Sequence, residues 1–467
     1  MKSILFLSLT LSAMAFAQPS ADRLPDAVTS AIDAYINRSV GTQKIPGVAL
    51  GVVKDGKLIY AKGYGVANVE HKIPVTPETM FQSGSVGKAF TVIAVLMLAD
   101  DRVIDLDSPI KTYIPESPPA WDRITVRHML EHTSGMTGYP DGLDFRKDYT
   151  HKELLDLYSG IPLEFEPGTR RGYSNVAFGI LGMLIEKVSG KTYGEFLQAR
   201  IFGPLQMTSS RIISESDIVA GRAAGYRLVR GEIKNQEWVA PSHNNDAAGS
   251  LYLNVIDMAR FEAGLREAKL LSAKGFENMW NPIITKEGAT EPWGMSWSVS
   301  RENGRQLVAH SGGWQGFTAN FTRYPEKGIA VIIFTNLRGA SPDRLSMGVL
   351  GLVAPELSIA GAIPIKSTEP TLDALITKLV QDIAGGKPHL GLYRGAALDM
   401  MQKHADKATA EFRSYGALKG VDLVDYVKKP NGNRQVRHRL NFVQKQVILI
   451  LDVDANGKVL EMDMRRE

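Results

Sequence analysis

The chain of 467 residues contains no cysteine, which excludes structural disulfides, a lipidated cysteine and cysteine ligands for zinc. It also lacks a strong net charge, because 54 basic and 50 acidic residues leave only +4. We therefore expect neither nucleic acid nor an anionic membrane as a partner. The remaining composition, 44% hydrophobic and 22% charged, is that of a globular protein of two or three domains. The weak net charge leaves a small molecule or a peptide as the expected substrate.

Long apolar runs are confined to the N-terminus. Lys2 precedes an apolar stretch at residues 4–16, and Ala15-Phe16-Ala17 has the small-x-small pattern of a signal-peptidase site. The stretch is too short to span a bilayer comfortably. We therefore predict a cleaved bacterial-type signal peptide at residues 1–17, no membrane span after its removal, and a periplasmic or secreted protein.

Strand patterns flank a mostly helical middle section. Apolar runs at residues 48–53 and 58–64 are separated by Asp55-Gly56, a strong signal for a tight hairpin, and further strand-like runs follow between residues 294 and 336. Residues 107–214 have helical periodicity broken by Pro/Gly loops. This order predicts an α+β domain in which one antiparallel sheet is built from both ends, is flanked by helices and carries an all-helical subdomain.

Prolines at positions 355, 364 and 370 mark a predicted domain boundary near Ile365. Before it, residues 18–365 carry the patterns described above. After it, residues 366–467 contain two helical patterns and four strand patterns, which predict a small α+β accessory domain. No nucleophile motif or metal cluster is found there, so we expect the chemistry in the first domain.

Ser85 and Lys88 are the first candidate reactive pair. They precede a long apolar run, and residues three apart on a helix are neighbours, so an amine at position 88 can take the proton of the Ser85 hydroxyl. The helix N-terminus stabilises negative charge on that oxygen. The spacing S-x-x-K is the nucleophile motif of several acyl-transfer enzymes. By itself it is weak, because Ser108 and Lys111 have the same spacing.

Two further motifs strengthen the first pair. Tyr173-Ser174-Asn175 precedes a clear helical pattern, and His310-Ser311-Gly312-Gly313 ends a strand pattern. Each has an ordinary structural explanation, such as a helix cap, a strand-end histidine or a bulge. Taken together with Ser85 and Lys88, they favour a catalytic interpretation, because catalytic sets are recognised by their combined roles.

These motifs, in this order, resemble the serine β-lactamase and penicillin-binding protein superfamily, and especially its class C-like branch. The resemblance extends over residues 24–336 and includes EHTSGM at 131–136, EPGT at 166–169 and PLQMT at 204–208. It implies a β-lactamase/transpeptidase-like fold without cofactor or metal. It also implies an exported serine hydrolase, working through an acyl-serine on D-amino-acid peptides, esters or β-lactams, with esterase, carboxypeptidase or β-lactamase activity.

The resemblance also assigns roles. Ser85 attacks the acyl carbon, either Lys88 or Tyr173 accepts its proton, and Tyr173 returns the proton to the leaving group. Asn175 bonds Lys88 or the substrate amide. The backbone N–H groups of Ser85 and Gly313 form the oxyanion hole, which the lack of a side chain at Gly312 and Gly313 leaves open to substrate. The expected pocket walls are Tyr139, Trp314 and Phe317.

His310 departs from the family pattern, because class C β-lactamases have a lysine there. A histidine is only partly charged near neutral pH, so we expect it to hold a substrate's anionic group less firmly as pH rises. Efficient β-lactam hydrolysis is therefore not expected. His132, in the EHTSGM stretch, is interpreted as structural.

Three alternative functions differ in how well the sequence supports them. A Ser-His-Asp triad would use His128, His132 or His310, but residues 83–87 miss G-x-S-x-G at its first position. Zinc hydrolysis is disfavoured, because no H-E-x-x-H is present. A protein that binds penicillin or peptidoglycan fragments, and acylates without efficient turnover, stays open as the alternative function. The sequence does not indicate the oligomeric state.

Overall fold

The computed structural model describes residues 23–244, 247–286, 288, 290–302, 305–357, 361, 363–429 and 432–466. The predicted signal peptide lies outside the described residues. The helices are α1 (Asp26–Gln43), α2 (Lys88–Asp100), α3 (Val126–Leu130), α4 (His151–Ser159), α5 (Asn175–Ser189), α6 (Tyr193–Leu197), α7 (Val255–Arg266), α8 (Ala273–Trp280), α9 (Pro342–Val353), α10 (Pro370–Gly385) and α11 (Gly395–Ser414).

The strands are β1 (Gly47–Lys54), β2 (Lys57–Asn68), β3 (Ile73–Pro74), β4 (Phe81–Gln82), β5 (Arg211–Ile212), β6 (Tyr226–Val229), β7 (Glu232–Asn235), β8 (Leu251–Leu253), β9 (Ile283–Ile284), β10 (Thr290–Glu291), β11 (Ser298–Glu302), β12 (Arg305–Trp314), β13 (Phe317–Tyr324), β14 (Ile329–Thr335), β15 (Leu418–Lys428), β16 (Arg434–Phe442), β17 (Gln446–Val453) and β18 (Val459–Arg466). Within the described residues, no helix is long and apolar enough to cross a membrane.

The central sheet is antiparallel and has the order β11-β12-β13-β14-β1-β2-β3. Strands from the beginning and from the end of the predicted first domain meet where β14 pairs with β1, for example at Val48 and Thr335. The β1–β2 hairpin turns at Asp55 and Gly56, which have φ of 50° and 79°, as a tight turn with left-handed central residues requires. The α+β fold, with one sheet built from both ends, is confirmed.

The sheet is covered on both faces. Residues of α1 and α9 pack on one face with Val48 and Val331, whereas α2 and α7 pack on the other face with Ala49 and Ile332. Because alternate side chains of β1 and β14 point to opposite faces and both faces are buried, these strands are continuous apolar runs. Each fully buried Val or Ile contributes about 1.5–3 kcal/mol relative to exposure.

The helix that follows Ser85 lies in the middle of this core. In α2 the side chains from Lys88 to Leu98 are all buried. A helix that is apolar on every side is stable only when it is surrounded by other elements. The partners of α2 include α5, α6 and α8, so its first turn has a fixed position between the sheet and the helical section.

The C-terminal residues form a separate hydrophobic cluster. It contains residues from Leu372 to Val459, where α10 and α11 pack on the antiparallel sheet β15-β16-β17-β18. The guanidinium of Arg437 donates a hydrogen bond to the carbonyl of Arg301 in β11.

Candidate active site

Ser85 lies in a 3₁₀ helix, Gly84–Gly87, that leads directly into α2. Lys88 is the first residue of α2, and its Nζ is 3.1 Å from Ser85 Oγ. The lysine has no exposed surface, whereas Ser85 is partly exposed and lines a cavity. The predicted pair is therefore in contact, with the hydroxyl open to a substrate and the amine beneath it.

The amine of Lys88 is held by three oxygen atoms. Besides Ser85 Oγ, it donates to Asn175 Oδ1 at 2.8 Å and to the carbonyl of Ala248. An ammonium satisfies three acceptors, and a neutral amine satisfies two acceptors while it accepts from the serine hydroxyl. Both protonation states therefore fit this geometry. The predicted contact between Asn175 and Lys88 is present.

Three consecutive carbonyls bind side chains on both sides of Ser85, and no sequence motif predicted these contacts. The carbonyl of Ala247 accepts from Thr91 Oγ1 at 2.7 Å, that of Ala248 accepts from Lys88, and that of Gly249 accepts from Ser83 Oγ at 2.8 Å. Gly249 has φ of 142°, and a Cβ there would lie 2.2 Å from the carbonyl oxygen of Gly84. The run of small residues at 247–249 was the available signal for this close approach.

Strand β12 packs its backbone against the 3₁₀ helix. A Cβ on Gly312 would lie 2.1 Å from the carbonyl oxygen of Ser83, and a Cβ on Gly84 would lie 2.5 Å from the nitrogen of Gly313. Both positions therefore require glycine. This contact brings residues 312–313 to Ser85, as the motif order predicted, and the oxyanion-hole role of the N–H groups of Ser85 and Gly313 stays a prediction.

Tyr173 immediately precedes the N-cap of α5, where Ser174 Oγ accepts from the N–H of Ala177 at 3.0 Å. Its ring lies over the amine of Lys88, 5.1 Å from the ring centroid, and stacks on the imidazole of His132 at 4.3 Å. Among the described residues, no hydrogen bond joins the phenol of Tyr173 to Ser85. The contact with His132 was missed, because no sequence signal links an imidazole to a residue 41 positions away.

The expectation for the charge of His310 is wrong. The ring is only 4% exposed, and both nitrogens are occupied, Nε2 with Ser296 Oγ at 3.4 Å and Nδ1 with the carbonyl of Ser311 at 2.6 Å. Burial is the largest of the causes that lower the pKa of His310 to about 3, and a charged ammonium on Lys88 would act in the same direction. The ring is therefore neutral near pH 7 and does not supply a charge that weakens as pH rises.

The cavity in front of Ser85 has a volume of about 530 Å³. The three predicted wall residues, Tyr139, Trp314 and Phe317, all line it. Other lining residues that the sequence analysis did not select include Phe145, His243, Gln315 and Arg338. Phe145 is the centre of an aromatic cluster, since its ring lies within about 6 Å of the rings of Tyr139, His243 and Trp314.

The second serine–lysine pair has a different environment. Ser108 Oγ lies 3.4 Å from Asp105, and Lys111 forms an ion pair with Asp122 at 2.6 Å on the surface. Neither side chain is near the cavity of Ser85. In the part of the chain that the structure describes, no group of three or more His, Asp or Glu side chains is arranged to hold a metal ion.

Comparison with known proteins places this site in a family. The family described as Beta-lactamase matches residues 32–354, which include every motif above. The chain belongs to the Beta-lactamase family. The predicted resemblance to the serine β-lactamase and penicillin-binding protein superfamily is thus confirmed, and with it a relation to serine hydrolases.

Relatives of this Beta-lactamase family chain carry different names. A penicillin-binding protein of Bacillus subtilis (strain 168) is 26% identical over 60% of this chain and 66% of its own length. A D-aminopeptidase of Gluconobacter oxydans (strain 621H) is 24% identical over 68% of this chain and 61% of its own length. The chain thus matches less than two thirds of either relative. An octameric penicillin-binding protein homologue from Pyrococcus abyssi has the same fold, with a TM-score of 0.61, 24% identity and coverage of 94% of this chain and 98% of that one.

Proposed function

We propose that the protein is a serine hydrolase that forms an acyl-enzyme on Ser85 and cleaves amide or ester bonds. The observation that carries the proposal is the 3.1 Å contact between Lys88 Nζ and a serine hydroxyl that opens into a cavity. A nucleophile hydrogen-bonded to a base, with the base oriented by further groups, is the arrangement that activates a hydroxyl. Here the carbonyl of Ala248 and Asn175 Oδ1 orient the base.

In the proposed reaction the neutral amine of Lys88 accepts the proton as Ser85 Oγ bonds to the acyl carbon. The N–H groups of Ser85 and Gly313 stabilise the oxyanion. Tyr173 donates a proton to the leaving amine or alcohol as its bond to carbon breaks, and the proton on Lys88 replaces the one that the phenol has lost. Water then attacks the acyl carbon by the same route, which releases the acid and restores the Ser85 hydroxyl.

The charge of the cavity favours neutral or anionic substrates. Among the described residues that line it, Arg338 is the only Lys, Arg, Asp or Glu, and none of these lining residues offers a carboxylate to a free ammonium. Because His310 is neutral, Arg338 is the candidate partner for a substrate carboxylate. The aromatic cluster around Phe145 favours an apolar group next to the scissile bond. We infer an acyl donor of D-amino-acid peptide or ester type without a free terminal ammonium.

Export belongs to the same proposal. It rests on the apolar stretch at residues 4–16 and on Ala15-Phe16-Ala17. The reaction is thus proposed to occur in the periplasm or outside the cell.

The nucleophile is tested with a chromogenic short-chain ester and intact-mass spectrometry. We expect Ser85→Ala to lower turnover by a factor on the order of 10⁴ or more and to abolish the acyl adduct. Ser108→Ala, the matched control from the second serine–lysine pair, should retain wild-type turnover and its adduct. Full ester turnover by Ser85→Ala would overturn the proposal.

The substrate class is tested with peptides that differ only in terminal charge. An N-acylated D-peptide should be cleaved, whereas the same peptide with a free ammonium next to the scissile bond should react much more slowly. Arg338→Ala should raise KM for a substrate with a terminal carboxylate and leave KM for its amide unchanged. Stable labelling by a fluorescent penicillin, without turnover of any ester or peptide, would indicate the slow acylating binder instead.

A further inference from the structure

Three buried side chains behind the cavity form a continuous hydrogen-bonded chain that the proposed reaction does not use. His132 Nε2 lies 3.2 Å from Ser296 Oγ, and the same oxygen lies 3.4 Å from His310 Nε2. His132 and Ser296 have no exposed surface, and His310 is 4% exposed. This hydrogen-bonded chain of side chains therefore links the loop of His132 to strand β12 without contact with solvent.

The contacts at the two ends of this hydrogen-bonded chain determine which atom donates in each of its hydrogen bonds. The N–H of Ser174 donates to His132 Nδ1 at 3.1 Å, so the neutral ring carries its proton on Nε2. At the other end the carbonyl of Ser311 only accepts, so His310 carries its proton on Nδ1 and its Nε2 is an acceptor. Ser296 therefore accepts from His132 and donates to His310, and every polar atom of the chain is satisfied.

The imidazole of His132, at one end of the hydrogen-bonded chain, packs against the ring of Tyr173. The rings of His132 and Tyr173 are 4.3 Å apart with an interplanar angle of 28°. The residues on either side of the tyrosine are bonded to the same histidine, because Gly172 N–H donates to its carbonyl at 2.8 Å and Ser174 N–H donates to its Nδ1. A change in the rotamer or tautomer of His132 would therefore displace Tyr173.

Two residues of the hydrogen-bonded chain have unusual backbone conformations. His132 has φ of 58° and Ser296 has φ of 54°, in the left-handed region that residues other than glycine rarely adopt. Such conformations cost about 1–3 kcal/mol each and are concentrated at functional sites. At both positions the conformation places the side chain in the hydrogen-bonded chain.

We propose that His132, Ser296 and His310 act as a positioning unit for Tyr173, in which Ser296 fixes the tautomers of both imidazoles. The inference rests on the proposed function, because it serves the proton transfer by Tyr173. None of the three is required to touch the substrate. The unit holds a neutral, oriented ring against the phenol, so that its hydroxyl keeps one direction through acylation and deacylation.

The tautomers are tested without any activity. In protein labelled with ¹⁵N-histidine, at pH 7, the nitrogen shifts of His132 should report a proton on Nε2 and those of His310 a proton on Nδ1. His132→Gln and His310→Gln spectra assign the signals among the nine histidines. Because this measurement does not require turnover, it decides the arrangement even if the proposed function fails.

The role is tested by removal of the linking hydroxyl. We expect Ser296→Ala and Ser296→Gly to lower kcat by about 10- to 100-fold with KM within twofold of wild type, as for other groups that orient a reactive residue. The glycine variant accepts the left-handed backbone, so it retains the fold if alanine does not. Ser346→Ala is the matched control, since Ser346 is a buried serine in α9 without a hydrogen-bond partner among the described residues.

The control variant Ser346→Ala should keep the wild-type values of kcat and KM. Wild-type kcat in Ser296→Gly, or a proton on Nδ1 of His132, would overturn the inference. If Ser85→Ala turns over normally in the same assay, the proposed function has failed, and the nitrogen shifts alone then decide whether the three residues form the unit.

Discussion

At the scale of single residues, the site depends on polar groups that are withdrawn from water. Lys88 has no exposed surface, and its amine is bonded to Ser85, Asn175 and the carbonyl of Ala248. A buried amine with a full set of oxygen partners keeps one orientation, because any other orientation leaves a donor unpaired. The orientation of the Lys88 amine, the proposed base, is therefore a property of the folded protein and does not require the substrate.

Replacement of this amine by an apolar side chain of similar size tests that role. We expect Lys88→Met to lower ester turnover by a factor on the order of 10³ or more, because the hydroxyl of Ser85 loses its proton acceptor. Steady-state kinetics and circular dichroism measure activity and folding. Lys111→Met, the control from the exposed pair, should keep wild-type turnover, and an equal loss in both variants would contradict the assignment.

Two histidines, His128 and His310, contribute to the dependence of stability on pH. Burial lowers the pKa of His128 to about 4, and that of His310 to about 3, below an ordinary value near 6.5. Between those values the unfolded chain binds protons at these two positions that the folded protein does not, so the stability that the two histidines contribute falls as pH decreases from 6.5 toward 4. The urea midpoint at a series of pH values measures this slope.

His128→Gln isolates one contribution to the slope. Glutamine at this position still accepts the capping-box hydrogen bond from Thr125, which His128 Nδ1 accepts at 3.2 Å, but it does not titrate. The pH slope should be shallower in this variant, whereas His389→Gln, at an exposed position, should leave it unchanged. Identical slopes in all three proteins would contradict the prediction.

At the scale of elements, the decisive contact joins β12 to the 3₁₀ helix of Ser85. We expect Gly312→Ala to destabilise the protein by about 1–3 kcal/mol and to lower kcat, because a Cβ there meets backbone at 2.1 Å and displaces one element. Thermal unfolding and kinetics measure the two effects. Gly313→Ala is the matched control for stability, since its Cβ would have no atom within 4 Å.

Elements with strong local patterns could be predicted, and those fixed by tertiary contacts could not. The helix over residues 175–188 and the hairpin at Asp55-Gly56 follow from periodicity and turn chemistry, and both are present. The strand expected from residue 294 begins only at Ser298, because residues 293–297 form a turn that includes Ser296 at positive φ. Backbone strain of this kind leaves no periodic signal.

At the scale of the whole molecule, the chain has separate hydrophobic cores. The clusters around the central sheet contain residues up to Leu357, and the C-terminal cluster contains residues from Leu372 onward. The order of motifs was enough to predict the family and the pair Ser85–Lys88, and the strand patterns at both ends predicted the sheet. The packing of His132 under Tyr173 could not be predicted, because it joins segments far apart in sequence. The small residues at 247–249 indicate a close approach but not which side chains their carbonyls bind.

Removal of the second core tests the predicted boundary. We expect a chain of residues 18–365 to fold and to retain Ser85-dependent ester turnover within a few fold of the full chain, because no residue after 365 lines the cavity of Ser85 in the described part of the chain. Turnover and intact-mass labelling measure this. A folded fragment that no longer reacts would mean that the C-terminal segment completes the site.

The pairing of β1 with β14 also determines when the central sheet can be completed. Val48 and Thr335 are neighbours in the sheet although about 290 residues separate them in the chain. Strand β1 is thus synthesised long before β14, the strand with which it pairs. Because the residues that line the cavity of Ser85 extend to Gly339, the proposed active site can be complete only after nearly three quarters of the polypeptide has been synthesised.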